Sequence, residues 1–451
     1  MKKIVLLLNF LSLLYLTTVA QNISNIEEYT LENGLRVILI PYGSLKTSSI
    51  ALYVNCGKKN EIPGQQLFSS IAAECVTFGS KDYDKVQLSN ELFKLGATLN
   101  VDANENYTSI TASFIDADLV AGLKVMSSSV MEPLFPEVEI KQYIAQTLDY
   151  NNPMKMDILQ QASLFSNYWV YGSQNPIGRY YQSEVLQKIT PNDIREFYQF
   201  NYTPKNSRLV ICGNFDKEKV KQLVKENFGK WKAAYGEVNG VSFESPQMKG
   251  KEYGFVNRTG AIQAGLQWNK NGPQPGSKDE LTYLIAIEAF NTILFKEIRE
   301  KGGKTYGISA QYDPSSGSAI CAIVTQVRSD EMLNTCNLFD ATIKNFYEQG
   351  ISTKILKVAR SNMRSRWLMI ESPANIITFF NPIIYSKLAS RKNYLTEVDA
   401  VTIEQVNRII KKYFTPDSYK LMISGDELAL NTQLSQLKPL RRFTLKDLEN
   451  N

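Results

Sequence analysis

Two stretches of this 451-residue sequence carry residues whose types and spacing could do chemistry. The first is "FKEIREKGGKTYGISAQY", residues 295–312. Arg299 ends a helical run there, and Tyr306 follows seven residues on, past the helix-breaking pair Gly302-Gly303. Such a break turns the chain so that a helix-end arginine and a strand-start tyrosine can face one cavity. A permanently charged guanidinium and a phenol both donate hydrogen bonds, so both suit a developing oxyanion. The plainer alternative puts Arg299 in a surface ion pair with Glu297 or Glu300 and packs Tyr306 on a sheet. The second stretch is "GQQLFSSIAAECVTFGSK", residues 64–81, an amphipathic helix that leaves the turn at Pro63-Gly64 and stops at Gly79. Its chemistry is thin. Glu74, Cys75 and the later Asp149 are the metal-type ligands on offer, and they do not make the convergent set of four that zinc wants.

Composition removes several mechanisms outright. The chain contains no histidine, which rules out Ser-His-Asp and Cys-His catalysis. There is no G-x-S-x-G elbow, and "KGGKTYG" lacks the G-x-x-x-x-G-K-[ST] spacing of a phosphate loop. A net charge of +5, evenly spread and without basic runs that interleave aromatics, does not point to nucleic acid. The five cysteines stand singly, with no C-x-x-C, and read as small buried apolar residues. The N-terminus, "MKKIVLLLNFLSLLYLTTVAQN", has a basic start, an apolar core and a small-residue site at Thr18-Val19-Ala20. That pattern predicts a signal peptide over residues 1–20, cut before Gln21, and an exported, periplasmic or secreted protein with no later membrane span.

The elements that must position these residues recur in order. "YTLENGLRVILIPYG" gives a turn and strand, "SSIALYVNCG" a second strand, and residues 65–78 a helix. "VQLSNELFKLG" is a second helix ending on Gly96, "ATLNVDANENYTSITASF" two strands, and "ADLVAGLKVMSSSV" a further helix. The strand, Pro-Gly turn and helix return in "AIQAGLQWNKNGPQPGSKDELTYLIAIEAFNTILFKEI". Each half then closes alike: "YTPKNSRLVICGNFD" follows one helix and "YFTPDSYKLMISGDE" another, each a strand ending on a glycine. The expectation is an α+β fold of two homologous halves, each a mostly antiparallel sheet flanked by helices. The halves are placed at residues 21–233 and 252–451, with a polar linker at 234–251.

With these pieces in place the sequence resembles the M16 (pitrilysin-like) peptidases along essentially its whole length after the leader. "YTLENGLRVIL", Pro63-Gly64, "LGATLNV", "EPLFPEVEIKQ" and "NPIGR" fit the family's first half. "FKEIREKGGKTYGISAQY" closely resembles the second-half block "LREKxGLaYsvsa". The resemblance implies that each chain of this length forms half of a clam shell around a peptide chamber. It also implies a zinc helix with H-x-x-E-H, two imidazoles one turn apart and a glutamate that activates water. Registered on Gly79, those positions fall on Ser70, Ala73 and Glu74, and the family's third ligand, a glutamate near residues 140–151, is missing too. The resemblance assigns Arg299 and Tyr306 to the substrate carbonyl beside the zinc. It assigns Ala97, Thr98, Leu99 and Asn100, in the strand expected over 97–103, to the edge that pairs with extended substrate.

Two classes of function follow. In one, this chain is the non-catalytic subunit of a heterodimeric M16 zinc peptidase, an arrangement of the family's bacterial branch. It holds no cofactor itself and lends Arg299 and Tyr306 to a partner that carries H-x-x-E-H and the zinc. In the other it is an inert scaffold or peptide-binding protein. The intact Arg/Tyr block favours the first, since a pure scaffold has no use for it.

Overall fold

The computed structural model describes residues 26–43, 46–232, 246–300, 305–368, 372–381 and 394–449. The expected leader, most of the expected linker and the pair Gly302-Gly303 lie outside the described residues.

Two six-stranded mixed sheets carry the fold. The first contains β1 (Glu27–Thr30), β2 (Arg36–Pro41), β3 (Thr47–Val54), β4 (Asn100–Ala103), β5 (Thr108–Ile115) and β6 (Ser207–Gly213). The second contains β7 (Lys251–Asn257), β8 (Gln263–Asn271), β9 (Thr305–Tyr312), β10 (Ile320–Arg328), β11 (Tyr419–Gly425) and β12 (Leu440–Phe443). Their orders are β1-β2-β6-β3-β5-β4 and β12-β7-β11-β8-β10-β9. From β2 and β7 inward the two orders match position for position, so the repeat in the sequence is a repeat of topology. Only the outermost strand differs: β1 joins antiparallel and β12 parallel. The α+β, two-half fold is as expected.

Among the helices that flank the sheets are α1 (Phe68–Cys75), α2 (Lys85–Lys94), α3 (Leu119–Met131), α4 (Glu137–Tyr150) and α5 (Ile158–Tyr171). Next come α6 (Pro191–Asn201), α7 (Glu280–Leu294), α8 (Met332–Gln349), α9 (Pro373–Thr378) and α10 (Ile403–Tyr413). The helices before β6 and β11 start alike, with Thr190 and Thr402 closing capping boxes on Asp193 and Gln405. Leu52, Ile71, Leu123, Phe197 and Leu209 sit in one core, and Trp268, Phe290, Phe339 and Ile410 in the other.

The central strands read "RVILIP", "TSSIALYV" and "SRLVICG", apolar nearly throughout, because both faces of each sheet are covered. What covers the second face comes from the opposite half. Helix α5, encoded before β6, lies on the second sheet, where Ala162 and Phe165 join Val256, Met422 and Phe443. Helix α9, encoded after β10, lies on the first sheet, where Ile376 and Ile377 join Ile38, Ala51 and Val210. Buried hydrogen bonds fix both crossings: Asn269 Nδ2 donates to Ser166 Oγ at 2.5 Å and Tyr53 Oη to the Ile377 carbonyl at 2.8 Å. The two halves have exchanged helices. Among the described residues no helix is long and apolar enough to cross a membrane.

Candidate functional site

A cleft of about 470 Å³ opens between α1, α4 and β4. Leu67, Ser70, Ala73 and Glu74 form the α1 side, Val101, Asp102 and Ala103 the strand side, and Tyr143, Gln146, Thr147 and Tyr150 the α4 side. Lys58 and Tyr181 close it.

The start of α1 is held by a buried carboxylate. Glu61 accepts from Ser69 N at 3.0 Å and Ser69 Oγ at 2.6 Å, and so caps a helix whose own N-cap, Leu67, lacks a polar side chain. Leu67 sits at φ +70°, a strained conformation for a branched residue, and makes the helix begin at Phe68 rather than at residue 65. On its other oxygen Glu61 meets Arg179 Nη1 at 2.6 Å. Burial pushes the Glu61 carboxyl up, with the Ser69 bonds and the Arg179 charge opposing. The pair ties the chain that carries Tyr181 to the helix that carries Ser70 and Glu74.

Inside the cleft, burial raises the Glu74 carboxyl above its usual range; Thr77 Oγ1, at 3.5 Å, is a weak partner. Burial also pushes the Tyr143 phenol up to about 12, with the Glu74 charge adding to it. Tyr181 is raised by burial as well. Burial disfavours the charge of Lys58, but Glu105, 3.2 Å away, with Tyr181 and Glu61 beside it, raises its pKa overall.

The positions registered on H-x-x-E-H, namely Ser70, Ala73 and Glu74, all line the cleft. The three metal-type ligands named from the sequence diverge. Glu74 faces the cleft, Cys75 is fully buried in the core, and Asp149 points outward to pair with Lys155. A zinc ion does not fit this donor set. All five cysteines are buried and unbridged.

The strand expected over 97–103 is shorter, and only Asn100 of the four named substrate-strand residues lies in it. Gly96, at φ +58°, ends α2, and Ala97 N donates back to the Leu92 carbonyl at 2.9 Å, so Ala97, Thr98 and Leu99 belong to the turn. β4 is nonetheless an edge, paired with β5 alone among the described strands.

Arg299 lies in a π-helical turn, Phe295–Glu300, that continues α7. It is exposed, and its guanidinium stacks 4.6 Å over the Phe295 ring. That turn packs on α7, α8 and β9, all in its own half. Tyr306 is the second residue of β9. The loop at the far end of β9 meets the first half, where Tyr171 Oη and Ser318 Oγ lie 2.6 Å apart. At ~3.3 Å per residue Tyr306 stands roughly 20 Å along the strand from Tyr312, at that end.

Sequence reasoning missed Lys58, Glu61, Tyr143 and Tyr181. Arg179 sat in plain view within "NPIGR", quoted there for its pattern alone.

The sequence matches "Insulinase (Peptidase family M16)" over residues 36–167 and "Peptidase M16 inactive domain" over residues 188–363. The chain belongs to the M16 peptidase family. It is similar to the uncharacterized zinc protease YmxG of Bacillus subtilis, with 21% identity over 88% of this chain and 98% of that one. Among solved M16 structures, an inactive domain from Pseudomonas fluorescens superposes with a TM-score of 0.79 at 18% identity, over 89% of this chain and 98% of that one. The periplasmic protease PqqL from Escherichia coli gives 0.70 at 15% identity, over 93% of this chain and 51% of PqqL. These structural likenesses speak for the M16 fold.

Proposed function

We propose that this chain is the non-catalytic subunit of a two-chain M16 peptidase, exported to the periplasm or beyond, with zinc and H-x-x-E-H in the partner. The observation that carries this reading is the split between the two halves. The zinc helix keeps its frame and its cleft but has Ser70, Ala73 and Glu74 in the H-x-x-E-H positions, in a chain without histidine. The block with Arg299 and Tyr306 keeps both donor types. Arg299 packs within its own half and is exposed there, a layout that suits service to another chain's site. There the guanidinium and phenol would bind the scissile carbonyl and stabilise its oxyanion. The rival reading, an inert peptide-binding scaffold, draws on the same cleft and edge strand.

The test is a reconstituted pair with an H-x-x-E-H homologue, using the mature chain from the exported fraction, which should begin near Gln21. Arg299→Ala with Tyr306→Phe should leave assembly intact and lower turnover. The loss should fall on kcat, by ~10²–10³-fold per donor removed. Full activity from the double variant would favour the scaffold.

A further inference from the structure

The vacated cleft has a chemistry of its own. Leu67, Ala73 and Val101 give it an apolar floor, Glu74 a half-buried carboxylate, and Tyr143 and Tyr181 two phenol rings. No ion pair to Glu74 forms among the described residues, although the carboxylate is partly out of water. Asp102, on β4, adds a second carboxylate at the rim. Among the described residues the one cation in the walls, Lys58, has its charge met by Glu105. Alongside runs β4, whose outer edge has unpaired backbone groups among the described strands.

We propose that this cleft is a subsite for a cationic side chain, a lysine or arginine of an extended peptide laid against β4. The aliphatic stem of such a residue would cover the apolar floor, as long basic side chains do. Its head would reach Glu74 and the tyrosine faces, exchanging water for a charge-assisted hydrogen bond and cation–π contact. A glutamate there would meet two carboxylates, and an aliphatic residue would leave Glu74 desolvated without a partner. The unpaired backbone of β4 would hold the main chain by strand addition and is indifferent to side-chain identity. The peptide backbone thus gives affinity and the cleft gives choice.

The inference rests on the peptide-binding part of the reading above but needs no partner subunit. Its test uses the full mature chain and fluorescent eight-residue peptides that differ at one central position: lysine, arginine, norleucine or glutamate. Lysine and arginine peptides should bind about tenfold more tightly than norleucine, and glutamate more weakly still. Glu74→Gln with Asp102→Asn, both isosteric, should reduce the lysine and arginine peptides to the norleucine level. Equal binding of lysine and norleucine peptides, or a preference untouched by the double variant, would overturn the cationic subsite alone. If none of the four peptides binds, both this subsite and the peptide-binding reading fail.

Discussion

Lys270 shows how far a single residue can depart from what its type suggests. It lies on β8, only 2% exposed, and its ammonium donates to the Thr415 and Ser418 carbonyls, both at 2.6 Å. Burial pushes its pKa down to about 8, with Cys321 and Asp340 opposing. The unfolded chain therefore binds more protons than the folded one between about pH 8 and the ordinary lysine value. The charge costs stability below that window and the cost is relieved as pH rises through it. Compared with Lys270→Met, the parent should gain up to ~3 kcal/mol between pH 8 and 10.5, read from paired urea midpoints. A flat difference would refute the assignment. Neither Lys270 nor Tyr143 could be picked out in the sequence, because both owe their character to neighbours that arrive from distant segments. The reading of Arg299 differs in kind, since it rests on a local block of sequence.

At the scale of elements, α1 is fixed at both ends by features outside it. Glu61 and Arg179 hold its start, and a tight turn through Phe78 brings the chain to Gly79 at its end. Gly79 has φ +113°, and a Cβ there would meet the Tyr83 carbonyl oxygen at 2.9 Å and Lys85 N at 3.0 Å. Gly96 ends α2 at φ +58° with open space around it. The two should respond differently to alanine. Gly96→Ala faces only the left-handed backbone cost, ~1 kcal/mol, whereas Gly79→Ala adds a clash with main chain that cannot give way, for a loss of ~2–4 kcal/mol. Equilibrium unfolding of the two variants checks the contrast, and equal losses would show that the turn after α1 adapts. Gly96 placed the end of α2 well in the sequence, whereas α1 ends at Cys75, three residues before the end of the helix expected over 65–78. The start of α1 was not legible: it comes three residues late because Leu67 takes a strained left-handed conformation, and Glu61, just upstream of the stretch, caps the helix through Ser69. The same holds for β4, shortened by a backbone bond to α2 that no side-chain alternation reveals.

For the whole molecule the exchange of α5 and α9 decides how the halves behave. Each sheet buries a helix from the other half, so the halves share more than a linker. Cutting the chain at a protease site inserted between residues 234 and 245 should leave the halves associated through size-exclusion chromatography, separating only in denaturant. The half ending before residue 233, expressed alone, should lack α9 on its sheet and expose Ile38, Ala51 and Val210 to water, giving an aggregating product. A nicked protein that falls apart in native buffer would show that the exchanged helices contribute little. The duplication was legible in the paired Thr-Pro signals and matching strand ends, whereas the exchange was not. An apolar stripe says that a helix is buried and is silent on which sheet buries it. A duplicated gene whose copies have traded helices no longer consists of interchangeable modules. On the reading proposed above, the first copy has no zinc chemistry at Ser70 and Ala73, yet deletion of that copy would strip its sibling of a structural part. On that same reading, such a half is kept for its shape.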